Sequence, residues 1–157
     1  MAIDVTLKRA PAAKTYIPLY QKMGMKTDRE AVNPSVRIAN AEKIRTGLPY
    51  QLAVDLQKML DVSSREFSRI TGVNERTLAR RRGGLLSAEE SDRLSAVAKV
   101  VDQAMYAFGY NEVGMREWFK EPNPMLLHRR PIDLLFSHES IEEVSILLER
   151  FADGDQS

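Results

Sequence analysis

Between Ser87 and Phe108 apolar residues recur at spacings of three and four without interruption, a pattern that commits the chain to packing helix against helix. Leu94, Val97, Ala98, Val101, Met105 and Phe108 fall on one stripe, while Ala96, Val100, Ala104 and Ala107 line a second face of small residues. A helix with two apolar faces needs two neighbours. One is expected to be the chain's own core and the other a second copy of the chain, which makes Ala96, Val100, Ala104 and Ala107 candidate dimerisation residues. Ser87-Ala88-Glu89-Glu90 is a capping box: the serine oxygen can accept the Glu90 amide while that carboxylate reaches back to the serine amide. Gly109 ends the pattern.

Shorter helical patterns flank this stretch. Ser35 to Arg45 forms one, and Pro49 to Leu60 another, with Leu52, Ala53, Leu56, Met59 and Leu60 on one face. Asn111 to Lys120, a turn at Ile132 to Phe136, and a last helix with a Ser140/Glu143 capping box and the stripe Ile141, Val144, Leu147, Leu148 and Phe151 follow. No alternating pattern of useful length appears, so the expected fold class is all-α: a helix-turn-helix-containing helical domain followed by a second, small helical domain. Residues 1–35, broken by Pro11, Pro18 and Pro34, are expected to be a flexible arm with a short helix near Tyr20 to Met25. The remaining divisions are 36–86, a long linking helix over 87–109, and 110–157.

Composition removes most chemistry. The chain has no cysteine, which excludes disulfides, thiol catalysis and cysteine-ligated zinc. Its two histidines, His128 and His138, are ten apart in a loop-rich segment, a spacing that matches no helical metal site, so no metal, cofactor or enzymatic activity is expected. No apolar run reaches the about 20 residues of a bilayer helix, and the N-terminus lacks a secretory h-region, so the expectation is a cytoplasmic protein with no membrane partner. A net charge of +1 conceals strong asymmetry. Residues 1–46 carry nine Lys/Arg against four Asp/Glu, and residues 63–84 carry six against two. Residues 139–157 carry Arg150 alone against six carboxylates. A basic front suits phosphate and an acidic rear suits a basic partner.

Ser63 to Gly84 carries the most informative local motif. Ser63 or Ser64 can cap a helix reaching Thr71, Gly72 can turn at positive φ, and Asn74 can cap a second helix that ends at Gly83-Gly84. This is helix-turn-helix geometry, with the second helix entering the major groove of DNA by its N-terminus. That helix presents Asn74, Arg76, Thr77 and Arg80: Asn74 and Arg76 can meet base edges, Arg80 can reach base or phosphate, and Arg65 and Arg69 can clamp the backbone from the side. Arg81 stands where such motifs usually bury an aliphatic residue. The second helix is therefore expected to end early or tilt, with Leu85 or Leu86 supplying the apolar contact.

The stretch Trp118-Phe119-Lys120-Glu121-Pro122-Asn123-Pro124-Met125-Leu126, then Pro131-Ile132-Asp133-Leu134-Leu135 and the helix from Glu139 to Phe151, resembles the toxin-binding domain of the Xre/MbcA/ParS-like antitoxins. The preceding region is similar to the Xre-type DNA-binding domain, and together the resemblance covers about residues 45 to 154. It implies that 36–86 is an Xre-like DNA-binding domain and 110–157 a toxin-binding domain. The implied function is that of a type II antitoxin, of the kind encoded beside RES-domain toxins, which consume NAD. Such proteins neutralise the toxin by binding it and repress their shared operon, commonly as dimers. Where family members often carry Gly-Gly after the leucine, this chain has Leu127-His128. The frequent aromatic-Gly ending is replaced by Ala152-Asp153-Gly154-Asp155.

A toxin that binds NAD must present cations or amide donors to a pyrophosphate, and its mouth should attract acid. Glu149, Asp153, Asp155 and the terminal carboxylate at Ser157 are therefore the candidate toxin-binding residues. For Trp118 a core position beside Phe119 and Pro122 is the expectation. Two other functions stay open on the sequence: a stand-alone helix-turn-helix regulator whose C-terminal domain dimerises, and a structural adaptor whose basic arm binds protein.

Overall fold

A computed structural model describes residues 16–26 and 32–154, and its regular structure is helical, as the sequence patterns require. In chain order the elements are α1 (Leu19–Lys22), α2 (Pro34–Thr46), α3 (Gln51–Leu60), α4 (Ser64–Thr71), α5 (Glu75–Arg80), α6 (Ala88–Ala107), α7 (Glu112–Lys120) and α8 (His138–Ala152). Two 3-10 turns, Pro124–Leu126 and Pro131–Leu134, connect α7 to α8. Only isolated bridges, Pro49 to Leu85 and Asn123 to Arg129, represent β pairing among the described residues.

Local chemistry sets most boundaries. The Ser87 capping box forms as written, with the Glu90 amide donating to Ser87 Oγ at 3.1 Å and the Ser87 amide donating to the Glu90 carboxylate at 2.8 Å. α8 departs from expectation in being capped three residues before Ser140. Ser137, in extended backbone, accepts the Ser140 amide at 3.1 Å and becomes the N-cap itself. Gly47 adopts φ 105, and a Cβ there would stand 2.5 Å from the Leu86 carbonyl oxygen, so the α2–α3 junction requires glycine.

α6 is the axis of the molecule, and α1, α2, α3, α4, α7 and α8 all pack on it. Leu94, Val97, Ala98 and Val101 are fully buried, but so are Val100 and Ala104 of the small-residue face. This corrects the dimerisation assignment: Val100 and Ala104 are covered within one chain, with Ala96 and Ala107 half-buried beside them. Small side chains there admit the chain's own helices at close range. α6 and α8 are joined by polar contacts as well, Gln103 Nε2 donating to the Ser145 carbonyl at 3.0 Å and Ser145 Oγ to Gln103 Oε1 at 2.8 Å.

The arm expected over 1–35 also needs correction where it is described. Leu19 and Met25 enter the core, and the Asp102 carboxylate of α6 accepts hydrogen bonds from the Leu19 amide (2.8 Å), the Tyr20 amide (3.1 Å) and the Tyr16 hydroxyl (2.5 Å). That carboxylate supplies the N-terminal cap that Pro18 cannot. Burial raises the Asp102 pKa, while the three donors oppose the shift. Burial, then the adjacent carboxylate, pushes the Tyr16 phenol well above its ordinary value.

Candidate nucleic-acid and partner interfaces

The helix-turn-helix is built by side chains that satisfy its helix ends. Ser63 Oγ accepts the Glu66 amide at 3.2 Å to open α4, and Gly72 closes it in left-handed backbone, φ 73. Thr71, fully buried, donates to the Phe67 carbonyl at 2.7 Å and accepts the Val73 amide at 3.3 Å, so one hydroxyl holds both sides of the turn. Asn74 Oδ1 then accepts the Thr77 amide at 3.1 Å and starts α5. Phe67, Ile70, Val73 and Leu78 form the buried side of the pair.

The opposite side is cationic. Arg65, Arg76 and Arg80 are exposed, and no ion pair among the described residues engages them. Asn74 is exposed, and Thr77 is half-buried, its amide bonded to Asn74 and its hydroxyl to Arg80. The structure thus brings Asn74, Arg76, Thr77 and Arg80 onto one short helix. Arg69 is different. Its guanidinium reaches Asp133 at 3.1 Å and Glu66 at 3.6 Å, tying α4 to the second 3-10 turn. The expectation that α5 ends early holds: it stops at Arg80, Arg81 turns back to Glu90 at 3.3 Å, and Leu86 is the buried leucine while Leu85 is exposed.

At the other end of the molecule, Trp118 is a core anchor, its ring 5.2 Å from Phe119, 5.9 Å from Phe108 and 6.1 Å from Phe151. Its buried indole N–H has no hydrogen-bond partner among the described residues. Asn123 organises the loop that follows, accepting the Met125 amide on its side chain and the His128 amide on its carbonyl, both at 2.9 Å. Leu127 and His128 both adopt left-handed backbone, φ 56 and 60. His128 is exposed, and His138 pairs with Asp92 at 2.9 Å. No cluster of potential metal ligands occurs among the described residues. Glu149 and Asp153 are exposed at the end of α8, Asp153 as its C-cap. Asp155 and Ser157 lie outside the described residues.

Sequence reasoning missed the seam between the two halves. Arg93 on α6 donates to the Thr71 carbonyl at 3.2 Å and also to the Phe136 carbonyl. Arg116 of α7 caps the end of α3 through the Met59 and Lys58 carbonyls at 2.8 and 2.9 Å. Asp133 accepts from both Arg69 and Arg130, and the Arg130 hydrogen bonds hold its carboxyl below the usual value. These are exposed-type residues whose partners are backbone carbonyls and carboxylates far along the chain, and periodicity carries no trace of them. No helix among the described residues is long and apolar enough to cross a membrane.

Comparison with known proteins bears out the family resemblance. Residues 39–99 match the antitoxin Xre-like helix-turn-helix domain, and residues 103–154 match the antitoxin Xre/MbcA/ParS C-terminal toxin-binding domain. The two ranges meet inside α6, which both halves share. An antitoxin Xre of Yersinia enterocolitica is 29% identical over 146 residues, covering 92% of this chain and 93% of that protein. An antitoxin Xre of Photorhabdus laumondii is 26% identical over 113 residues, 71% of this chain and 76% of that protein.

Proposed function

From a chain that carries both domains of the Xre-type antitoxins, an Xre-like helix-turn-helix and an Xre/MbcA/ParS toxin-binding domain, we propose an autoregulating antitoxin whose partner is a RES-domain, NAD-consuming toxin. The observation that carries this reading is the union of the two matched domains on one continuous helix, α6. Operator DNA meets α5, with Asn74, Arg76, Thr77 and Arg80 toward the bases and Arg65 toward phosphate. Two copies bring two recognition helices to two half-sites. Because Val100 and Ala104 are buried within one chain, their pairing uses a surface other than that face of α6.

Neutralisation falls to the opposite end. Glu149 and Asp153 stand exposed past the buried stripe of α8, and Asp155 follows them in sequence. An acidic end suits a toxin cleft built to hold a pyrophosphate. Co-expression with the protein encoded beside this chain tests the proposal: growth and cellular NAD should be restored, and the purified pair should shift its own promoter fragment. A neighbour that is not toxic, or that stays toxic and unbound in the presence of this chain, would overturn the antitoxin reading. Truncation after Phe151 keeps the Trp118 contact and Glu149 but removes Asp153 and Asp155, and should retain part of the binding while losing inhibition.

A further inference from the structure

α1, α6 and α8 flank a cleft of about 440 Å³ lined by four tyrosines and three carboxylates. Tyr16 and Tyr106 each lie against Tyr110, at ring-centroid separations of 5.8 and 6.3 Å, which makes one continuous aromatic surface. Tyr106 is 47% exposed and Tyr110 is 53% exposed. Tyr110 holds its place in left-handed backbone, φ 65, a conformation that disfavours any side chain and persists where its surroundings demand it. The wall is rigid on the Tyr16 side because Asp102 grips the Tyr16 hydroxyl and the first turn of α1. Glu149 and Asp153 line the cleft and are exposed, and no ion pair among the described residues engages either. Three carboxylates and one cation, Lys99, line the whole cleft, so its field is negative.

We propose that this cleft receives a lysine or arginine side chain presented by the toxin, and this rests on the antitoxin reading above. Ring faces attract a cation through their quadrupole, and attract it more when water is excluded. Glu149 and Asp153 can then accept charge-assisted hydrogen bonds from the same group. An anion is repelled here, and an apolar side chain would strip water from two carboxylates without giving them a partner. The proposal extends the toxin interface to Tyr16 and Asp102, outside the matched range of residues 103–154.

Calorimetric titration of the full chain with the purified protein encoded beside it, at low and high salt, tests the assignment. The double variant Glu149→Gln/Asp153→Asn changes two exposed side chains and should fold as the wild type does. It should bind about tenfold more weakly at low salt and lose much of the wild-type salt dependence. Tyr110→Ala should lose about tenfold as well, with unchanged near-ultraviolet dichroism from Trp118. Wild-type affinity in both variants would overturn the cleft while leaving the antitoxin reading intact. Loss in Tyr110→Ala with no loss in the carboxamide variant would make the occupant apolar and also overturn it. A wild-type chain that binds nothing would overturn the antitoxin reading itself.

Discussion

Leu127 and His128, which follow the Pro124–Leu126 turn, both keep the left-handed backbone that glycine favours, φ 56 and 60. Left-handed geometry costs an L-residue about 1–2 kcal/mol, and glycine recovers it at some cost in unfolded-chain entropy. Leu127 is 86% exposed, so its side chain contributes little burial to offset the strain. Leu127→Gly should therefore stabilise the protein by about 0.5–1 kcal/mol, while Leu127→Ala leaves stability near wild type. Thermal unfolding of the two variants checks this, and equal melting temperatures for glycine and alanine would show that the turn carries no strain. Arg76 and Arg80 belong to the same scale. Both are exposed and bound to no carboxylate among the described residues, so removing them should leave folding unchanged. Arg76→Ala or Arg80→Ala should weaken binding to the promoter by about 1–3 kcal/mol if each reads a base, with toxin affinity unaffected. Mobility-shift titrations at equal salt decide it, and wild-type affinity in the double variant would remove α5 from the groove.

Among the elements, those closed by near neighbours in sequence were legible and those closed by distant ones were not. Ser63, Asn74 and Ser87 each bond an amide three residues on, a distance that residue type and spacing display directly. α1 is closed by Asp102, more than eighty residues away, and an arm punctuated by prolines gives no hint of it. The second face of α6 shows a related gap, because small apolar residues at helical spacing announce a neighbour without naming it. Here the neighbour is intramolecular. Ala104→Glu, placed at a site with no exposure, should cost several kcal/mol of folding stability rather than merely dissociate a dimer. Urea unfolding reads this directly; a variant with wild-type stability and altered sedimentation would return Ala104 to the interface. The joint between α4 and the second 3-10 turn makes a further prediction through Asp133. Its hydrogen bonds from Arg130, and then from Arg69, lower its folded pKa below the usual 3.8. The native state therefore binds the proton less readily than the unfolded chain. This stability is complete above the usual value and is lost as pH falls through the lowered one. Asp133→Asn should cost about 1 kcal/mol near neutral pH, with solvent screening limiting the effect, and should flatten the loss of stability as pH falls below the usual carboxylate value. Parallel denaturation curves for wild type and variant across that range would show that the Arg69–Asp133–Arg130 contact contributes nothing.

For the molecule as a whole, the two matched domains are one folding unit. A single apolar core runs from Leu19 through Leu52, Phe67 and Leu94 to Phe119 and Leu148, and α6 lies in both halves of it. Polar contacts reinforce the union from the C-terminal side: Arg116 and Lys120 satisfy the carbonyls at the end of α3, Arg93 joins the helix-turn-helix turn to the start of α8, and His138 meets Asp92. The sequence patterns distinguish the two halves well because each has its own motifs. They do not disclose that the halves share a core, since a boundary inside a continuous helix leaves no linker composition to detect. Unfolding of the full chain should accordingly be a single transition, coincident by far-ultraviolet dichroism and by Trp118 fluorescence. A chain ending at Gly109 would retain every residue of the helix-turn-helix yet lose α7 and α8, uncovering one side of α6 and the carbonyls at the end of α3 that Arg116 and Lys120 satisfy. Uncovered apolar surface together with unsatisfied helix ends favours an expanded state that keeps helix but not fixed packing. Such a fragment should show helical dichroism, bind a hydrophobic dye, melt without a cooperative transition, and hold its promoter more weakly than the full chain at equal salt. A fragment that instead melted cooperatively near the wild-type midpoint would show that the helix-turn-helix half is complete without the C-terminal half, and that α6 needs only one of its two coverings.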